Sequence, residues 1–81
     1  MRIIKLFTKQ MCPNCPKAKK VVKEYIKKNN DVKLELYDVG EVEGLAESAY
    51  YDIFSTPTVL VLKDNKEVIR LTGVIKEENL K

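Results

Sequence analysis

The sequence predicts an α/β fold in which a four-stranded mixed sheet is flanked by helices, in the order βαβαββα. Three observations carry that expectation. Ala18, Val21, Val22, Tyr25 and Ile26 recur at helical spacing, as do Val42, Leu45, Ala46, Ala49 and Tyr50; Val32, Leu34 and Leu36 alternate with polar neighbours; and a continuous apolar run at 58–62 is followed by turn residues and a second β-rich segment. Eighty-one residues allow one modest core, so residues 1–81 are expected to form a single domain. With 44% apolar and 33% charged residues, the composition is that of a folded globular chain and not of a disordered one.

Residues 2–8 are β-rich and run into polar Lys9 and Gln10, which predicts a first strand opening onto a cysteine-bearing loop. The amphipathic stretch from Pro16 predicts a helix with one buried face, ending near Asn29 and Asn30, whose side chains tolerate turns. The alternation from Val32 to Tyr37 predicts a second strand parallel to the first, across a right-handed crossover. A second helix follows at 41–51 despite Gly44, and Thr58–Leu62 reads as a central strand. Asp64 and Asn65 supply turn chemistry before Glu67–Leu71, so these last strands form a hairpin. Beyond Gly73, residues 74–80 predict a short final helix with one or two apolar anchors.

Charge is uneven along the chain. Residues 1–30 carry nine Lys or Arg against Glu24 alone, while residues 31–81 carry six against eleven acids. Lys17, Lys19, Lys20, Lys23, Lys27 and Lys28 read first as a solvated helix face, and second as a basic field that favours a thiolate and steers acidic partners. Nucleic-acid binding is not expected, because Tyr25, the one aromatic residue along this lysine-rich stretch, falls on the apolar side with Ala18 and Val22 and not on the lysine face. No apolar run approaches the roughly 20 residues that span a bilayer, and Met1–Phe7 reads as a strand instead of a leader, so a cytoplasmic location and no membrane partner are expected.

Cys12-Pro13-Asn14-Cys15 is the motif on which a functional reading turns. Two cysteines separated by two residues can close a small disulfide ring and reopen it, and a reducing cytosol favours a transient pair over a permanent staple. Placed at the start of a helix, Cys12 would face unsatisfied amides and the positive end of the macrodipole, which lowers a thiol pKa, and Lys9 would reinforce the thiolate. Cys15, nearer the interior of the first turn, would be less exposed and act second. Pro13 suits a first helical position, whereas Pro16 leaves two helix starts open, one capped by Cys12 and one capped by Cys15. A tetrahedral zinc site needs four ligands, and the chain has no His and no further Cys, so no metal and no cofactor are expected.

These residues resemble the thioredoxin superfamily, and the likeness covers nearly the whole chain, as a small glutaredoxin-like thioredoxin with a minimal thioredoxin fold. Thr8-Lys9-Gln10-Met11-Cys12-Pro13-Asn14-Cys15 resembles a glutaredoxin active-site segment, and Ser55-Thr56-Pro57-Thr58 resembles the segment in which a cis proline lies against the disulfide. The resemblance implies that Cys12 is the nucleophile and Cys15 the resolving thiol, that the backbone before Pro57 pairs with a substrate chain, and that Gly73 lets that chain approach. Read from the residues alone, Pro57 marks a strand start and Gly73 an ordinary turn. Met11, Pro13, Asn14, Thr56 and Val74 would form a small apolar contact surface.

The chain departs from the family in three ways. It lacks the extra N-terminal strand and helix of full-length thioredoxins. Leu6 stands where thioredoxins place a buried acid that assists the resolving cysteine. Thr72-Gly73-Val74 also does not match the glutathione-holding residues of glutaredoxins. The expected function is thiol–disulfide exchange on a disulfide-containing protein substrate by a monomer that an upstream reductase or a small thiol recharges. A glutathione-dependent glutaredoxin and a non-catalytic binding module are the alternatives.

Overall fold

The computed structural model describes residues 2–80. The elements are β1 (Arg2–Thr8), α1 (Cys15–Lys28), β2 (Val32–Asp38), α2 (Val42–Tyr50), β3 (Thr58–Lys63) and β4 (Lys66–Thr72), followed by a 3-10 turn at Glu77–Leu80. The sheet order is β2-β1-β3-β4; β1 and β2 are parallel, and β3 is antiparallel to both β1 and β4. This is the minimal thioredoxin fold that the sequence predicts. The expected final helix is shorter than predicted. Only its last turn forms, held by buried Ile75 and Leu80.

Side-chain alternation divides the sheet into two differently built faces. Ile4 and Leu6 of β1, with Val59 and Val61 of β3, point to one face and pack under Ala18, Val22 and Tyr25 of α1 and under Ile75 and Leu80. Burying each of these side chains stabilises the fold by about 1.5–3 kcal/mol for the larger ones. The other face carries Lys5, Tyr37 and the helix α2. There the Lys5 Nζ sits 2.5 Å from Glu47 Oε1 and 3.5 Å from Glu35 Oε1, and 4.9 Å over the centre of the Tyr51 ring. Burial works against the Lys5 charge, but its contacts with Glu47 and Tyr51 outweigh that and hold its pKa above the ordinary lysine range.

Helix α2 forms where its apolar spacing predicts, yet the apolar residues are not its buried side. Val42, Leu45 and Tyr50 are exposed, and Gly44 and Ser48, one turn apart, face the sheet. A Cβ on Gly44 would overlap the Asp38 carbonyl group, so this helix approaches β2 backbone to backbone and only small residues fit between them. The hairpin turn has Asp64 and Asn65 both at positive φ, 53° and 67°, as a two-residue turn with right-handed strand twist requires.

Candidate active site around the Cys12–Cys15 disulfide

Residues 9–14 carry the chain from the end of β1 onto α1. Met11 takes a left-handed backbone, φ 60°, which costs a residue with a Cβ about 1–2 kcal/mol, and its side chain is 98% exposed. A turn follows. The Cys15 amide donates to the Cys12 carbonyl at 3.3 Å, with Pro13 in the second turn position that its fixed φ suits.

The first helical bond runs from the Ala18 amide to the Asn14 carbonyl at 3.0 Å, so Asn14 is the N-cap and α1 begins at Cys15. Neither of the two starts left open by the sequence is the one observed. Pro16 falls in the first turn, where its missing N–H has no intrahelical acceptor to lose. Cys12 therefore lies two residues ahead of the cap and not in the first turn, and the helix end supports it only across the intervening turn.

Cys12 and Cys15 are bonded as a disulfide with their Cα atoms 5.4 Å apart. Cys15 is 5% exposed and lies on the core-facing side of α1 with Ala18 and Val22, whereas Cys12 is half-buried. Leu6, six residues before Cys12, is fully buried, paired with Leu36 on one side and Val59 on the other.

The loop before β3 reaches the same end of the sheet. Phe7 pairs with Thr58 and Thr58 with Thr72, so residues 9–15, 55–57 and 73–74 all emerge together. The Thr56–Pro57 peptide is cis and Pro57 is fully buried. Its carbonyl accepts the Gly73 amide at 3.0 Å, and the Thr58 hydroxyl donates to the Ser55 carbonyl at 2.7 Å. Gly73 has φ 76°, and a Cβ there would meet no atom of the described residues within 4 Å, so its backbone conformation, not crowding, calls for glycine. The Thr56 hydroxyl is buried without a hydrogen-bond partner among the described residues and borders a small cavity of about 210 Å³ shared with Lys9, Leu45 and Phe54. Pro13 and Val74 are exposed, and Asn14 and Thr56 half-buried, at this end.

A larger cleft of about 720 Å³ lies against the disulfide itself, bordered by both cysteines and by Lys9, Lys19, Lys20, Lys23 and Asp38 among others. Lys9 is expected here from the sequence, whereas the helix lysines are legible there only as a group. Lys19 and Lys23 stand four and eight residues after Cys15, a helical spacing that puts them along its side of α1, about one and two turns away. Asp38 is brought in by the β1–β2 pairing, which sets it beside Thr8. No local sequence signal points to it.

A family model described as the thioredoxin domain matches residues 2–81. The chain belongs to the thioredoxin domain family. Within it, the thioredoxin of Methanocaldococcus jannaschii is 36% identical over 61 residues, spanning 75% of this chain and 71% of that protein. A probable thioredoxin of Archaeoglobus fulgidus is 38% identical over 61 residues, spanning 75% of this chain and 66% of that protein. The X-ray structure of Fasciola hepatica thioredoxin superposes with a TM-score of 0.82 at 28% identity, covering 95% of this chain and 72% of that one. Membership in the thioredoxin family and the bonded Cys12–Cys15 pair support thiol–disulfide oxidoreduction as the general kind of reaction. Among the described residues, no helix of this thioredoxin domain is long and apolar enough to cross a membrane.

Proposed function

We propose that the protein reduces protein disulfides by dithiol–disulfide exchange through its Cys-Pro-Asn-Cys motif. The observation that carries this reading is the unequal exposure of the bonded pair, with Cys12 accessible and Cys15 at 5%. The accessible sulfur meets the substrate and the sheltered one acts within the protein. In the reduced protein the Cys12 thiolate attacks one sulfur of the target disulfide and expels the other as a thiolate, which takes up a proton. Cys15 then loses its proton and attacks the Cys12 sulfur. This closes the internal disulfide and releases the second target thiolate, so two electrons pass from protein to target.

Lys9, exposed beside the cleft, favours the Cys12 thiolate. The substrate chain lies across Thr56, Pro57 and Gly73, with Met11, Pro13 and Asn14 in contact on the other side of the disulfide. Leu6 leaves no acid at the position six residues before Cys12, so the Cys15 proton leaves to water, substrate or a group in the cleft. The protein works as a monomer in the reducing cytoplasm and is recharged by an upstream reductase or a small thiol.

Trapping tests this order of attack. Cys15→Ser accumulates a mixed disulfide with a protein substrate, and Cys12→Ser accumulates none. The proposal is sunk if both variants reduce a protein disulfide as fast as the unmodified protein.

A further inference from the structure

The cleft beside the disulfide is strongly one-signed. Lys9, Lys19, Lys20 and Lys23 border it against a single acid, Asp38. All four lysines are exposed, and among the described residues none makes an ion pair. Lack of an ion pair is not peculiar to the cleft, since the ion pairs among the described residues involve only Lys5, Lys28 and Arg70, with glutamates; what sets the cleft apart is that four lysines line one concave surface beside the disulfide. Three of the cleft lysines lie on α1, whose own acid, Glu24, does not border the cleft. The cleft thus presents positive charge, unpaired among the described residues, on the same surface that the two cysteines border.

Its position gives that charge a direction. Thr56 and Pro57 do not border the cleft, although their loop emerges at the same end of the sheet, so the basic trough is a surface separate from the loop across which the substrate chain is proposed to lie. A chain crossing the disulfide would rest one flank against each. Charges lining a concave surface raise the local concentration of oppositely charged partners and their rate of encounter by tenfold to a thousandfold, an effect that salt screens.

We infer that the Lys19, Lys20 and Lys23 trough is a docking surface for an acidic segment next to the disulfide of a protein partner, and that it sets which protein disulfides this protein reduces. This rests on the proposed disulfide-reductase reading and adds the charge of the substrate to it. The step itself is the exchange already described, in which the Cys12 thiolate breaks the partner's sulfur–sulfur bond; the trough contributes binding and orientation only.

Three disulfide-linked peptide pairs test it, identical except that the residues flanking one cysteine are acidic, neutral or basic, with oxidised glutathione as a small anionic comparison. Second-order rate constants for reduction are measured at low salt and in about 0.5 M salt, for the unmodified protein and for a K19Q/K20Q/K23Q variant, whose exposed substitutions keep good helix formers in place. The expected result is an acidic-to-neutral rate ratio of about ten or more at low salt, collapsing towards one in high salt and in the variant. The inference is overturned if the ratio stays near one, if it survives intact in the variant, or if only oxidised glutathione gains. The neutral peptide separates the two levels: no reduction of it defeats the reductase reading itself, whereas reduction without charge preference defeats the docking surface alone.

Discussion

Gly44 in α2 packs directly against the backbone of Asp38, the last residue of β2, leaving no space for a side-chain carbon between them. This contact sets how near α2 lies to the sheet, and Asp38 in turn reaches the cleft beside Cys12 and Cys15. Helix seating and site geometry thus meet at one residue.

Gly44→Ala is expected to destabilise the protein by about 1–2 kcal/mol or more, towards the upper end of the overpacking cost because the added carbon would overlap backbone. The new methyl group meets backbone, which cannot swing aside, and overpacking of that kind costs about 1–3 kcal/mol or more, against a gain of about 1 kcal/mol in helix propensity. Urea unfolding followed by circular dichroism measures it; a stability equal to or above the parent would show that α2 can move outward without loss.

The Lys5–Glu47 pair predicts how stability responds to pH. The hydrogen bond from Lys5 holds the Glu47 carboxyl below the usual carboxylate range, so its contribution is complete above the unfolded value of about 4.3 and fades as pH falls through the folded one. At the alkaline end the signs reverse. Burial and the hydrogen bond to Glu35 push the Tyr37 hydroxyl up to about 12, and Lys5 is also raised, so both favour the folded state below about pH 10 and lose that preference as pH rises above it. Glu47→Gln should cost about 1–3 kcal/mol at neutral pH and flatten the acid limb of the stability profile. An acid limb unchanged in that variant would assign the loss to other carboxylates.

Gly73→Ala places a methyl group in open space but forces a residue with a Cβ to φ 76°. Strain of about 1–2 kcal/mol, partly offset by a less flexible unfolded chain, gives a net loss near 1 kcal/mol, or a fall of about 4–8 °C in Tm for a domain of this size. If the substrate chain lies across Gly73, the rate constant with a protein disulfide falls further than that with a small disulfide. Equal effects on both would remove Gly73 from the substrate surface.

The reduction potential of the Cys12/Cys15 pair should lie near −270 mV, the value of a disulfide-reducing thioredoxin, when equilibrated in dithiothreitol buffers and read by thiol trapping. A potential well above about −200 mV would indicate that electrons flow into this protein from its targets and not out of it.

Much of this was determined by the sequence alone. The order of elements, the parallel β1–β2 pair, the hairpin at Asp64–Asn65 and a Cys12–Cys15 pair able to close a disulfide follow from periods of 3.6 and 2, from turn chemistry and from cysteine spacing read in its strand-to-helix context, all of which are local. Where α1 starts was not legible, because Pro13 and Pro16 allow two starts equally and the choice depends on the turn that closes Cys12 towards Cys15. Nor was the seating of α2. Its apolar spacing suggests a buried face, but close approach to Asp38 selects the small residues Gly44 and Ser48 for that role and leaves Leu45 and Tyr50 in solvent. Tertiary structure alone decided that Asp38 and the α1 lysines share a cleft with the disulfide, and that Gly73 holds the Pro57 carbonyl. Those neighbours are far apart along the chain, and only strand pairing and helix packing, which sum weak preferences over many residues, bring them together.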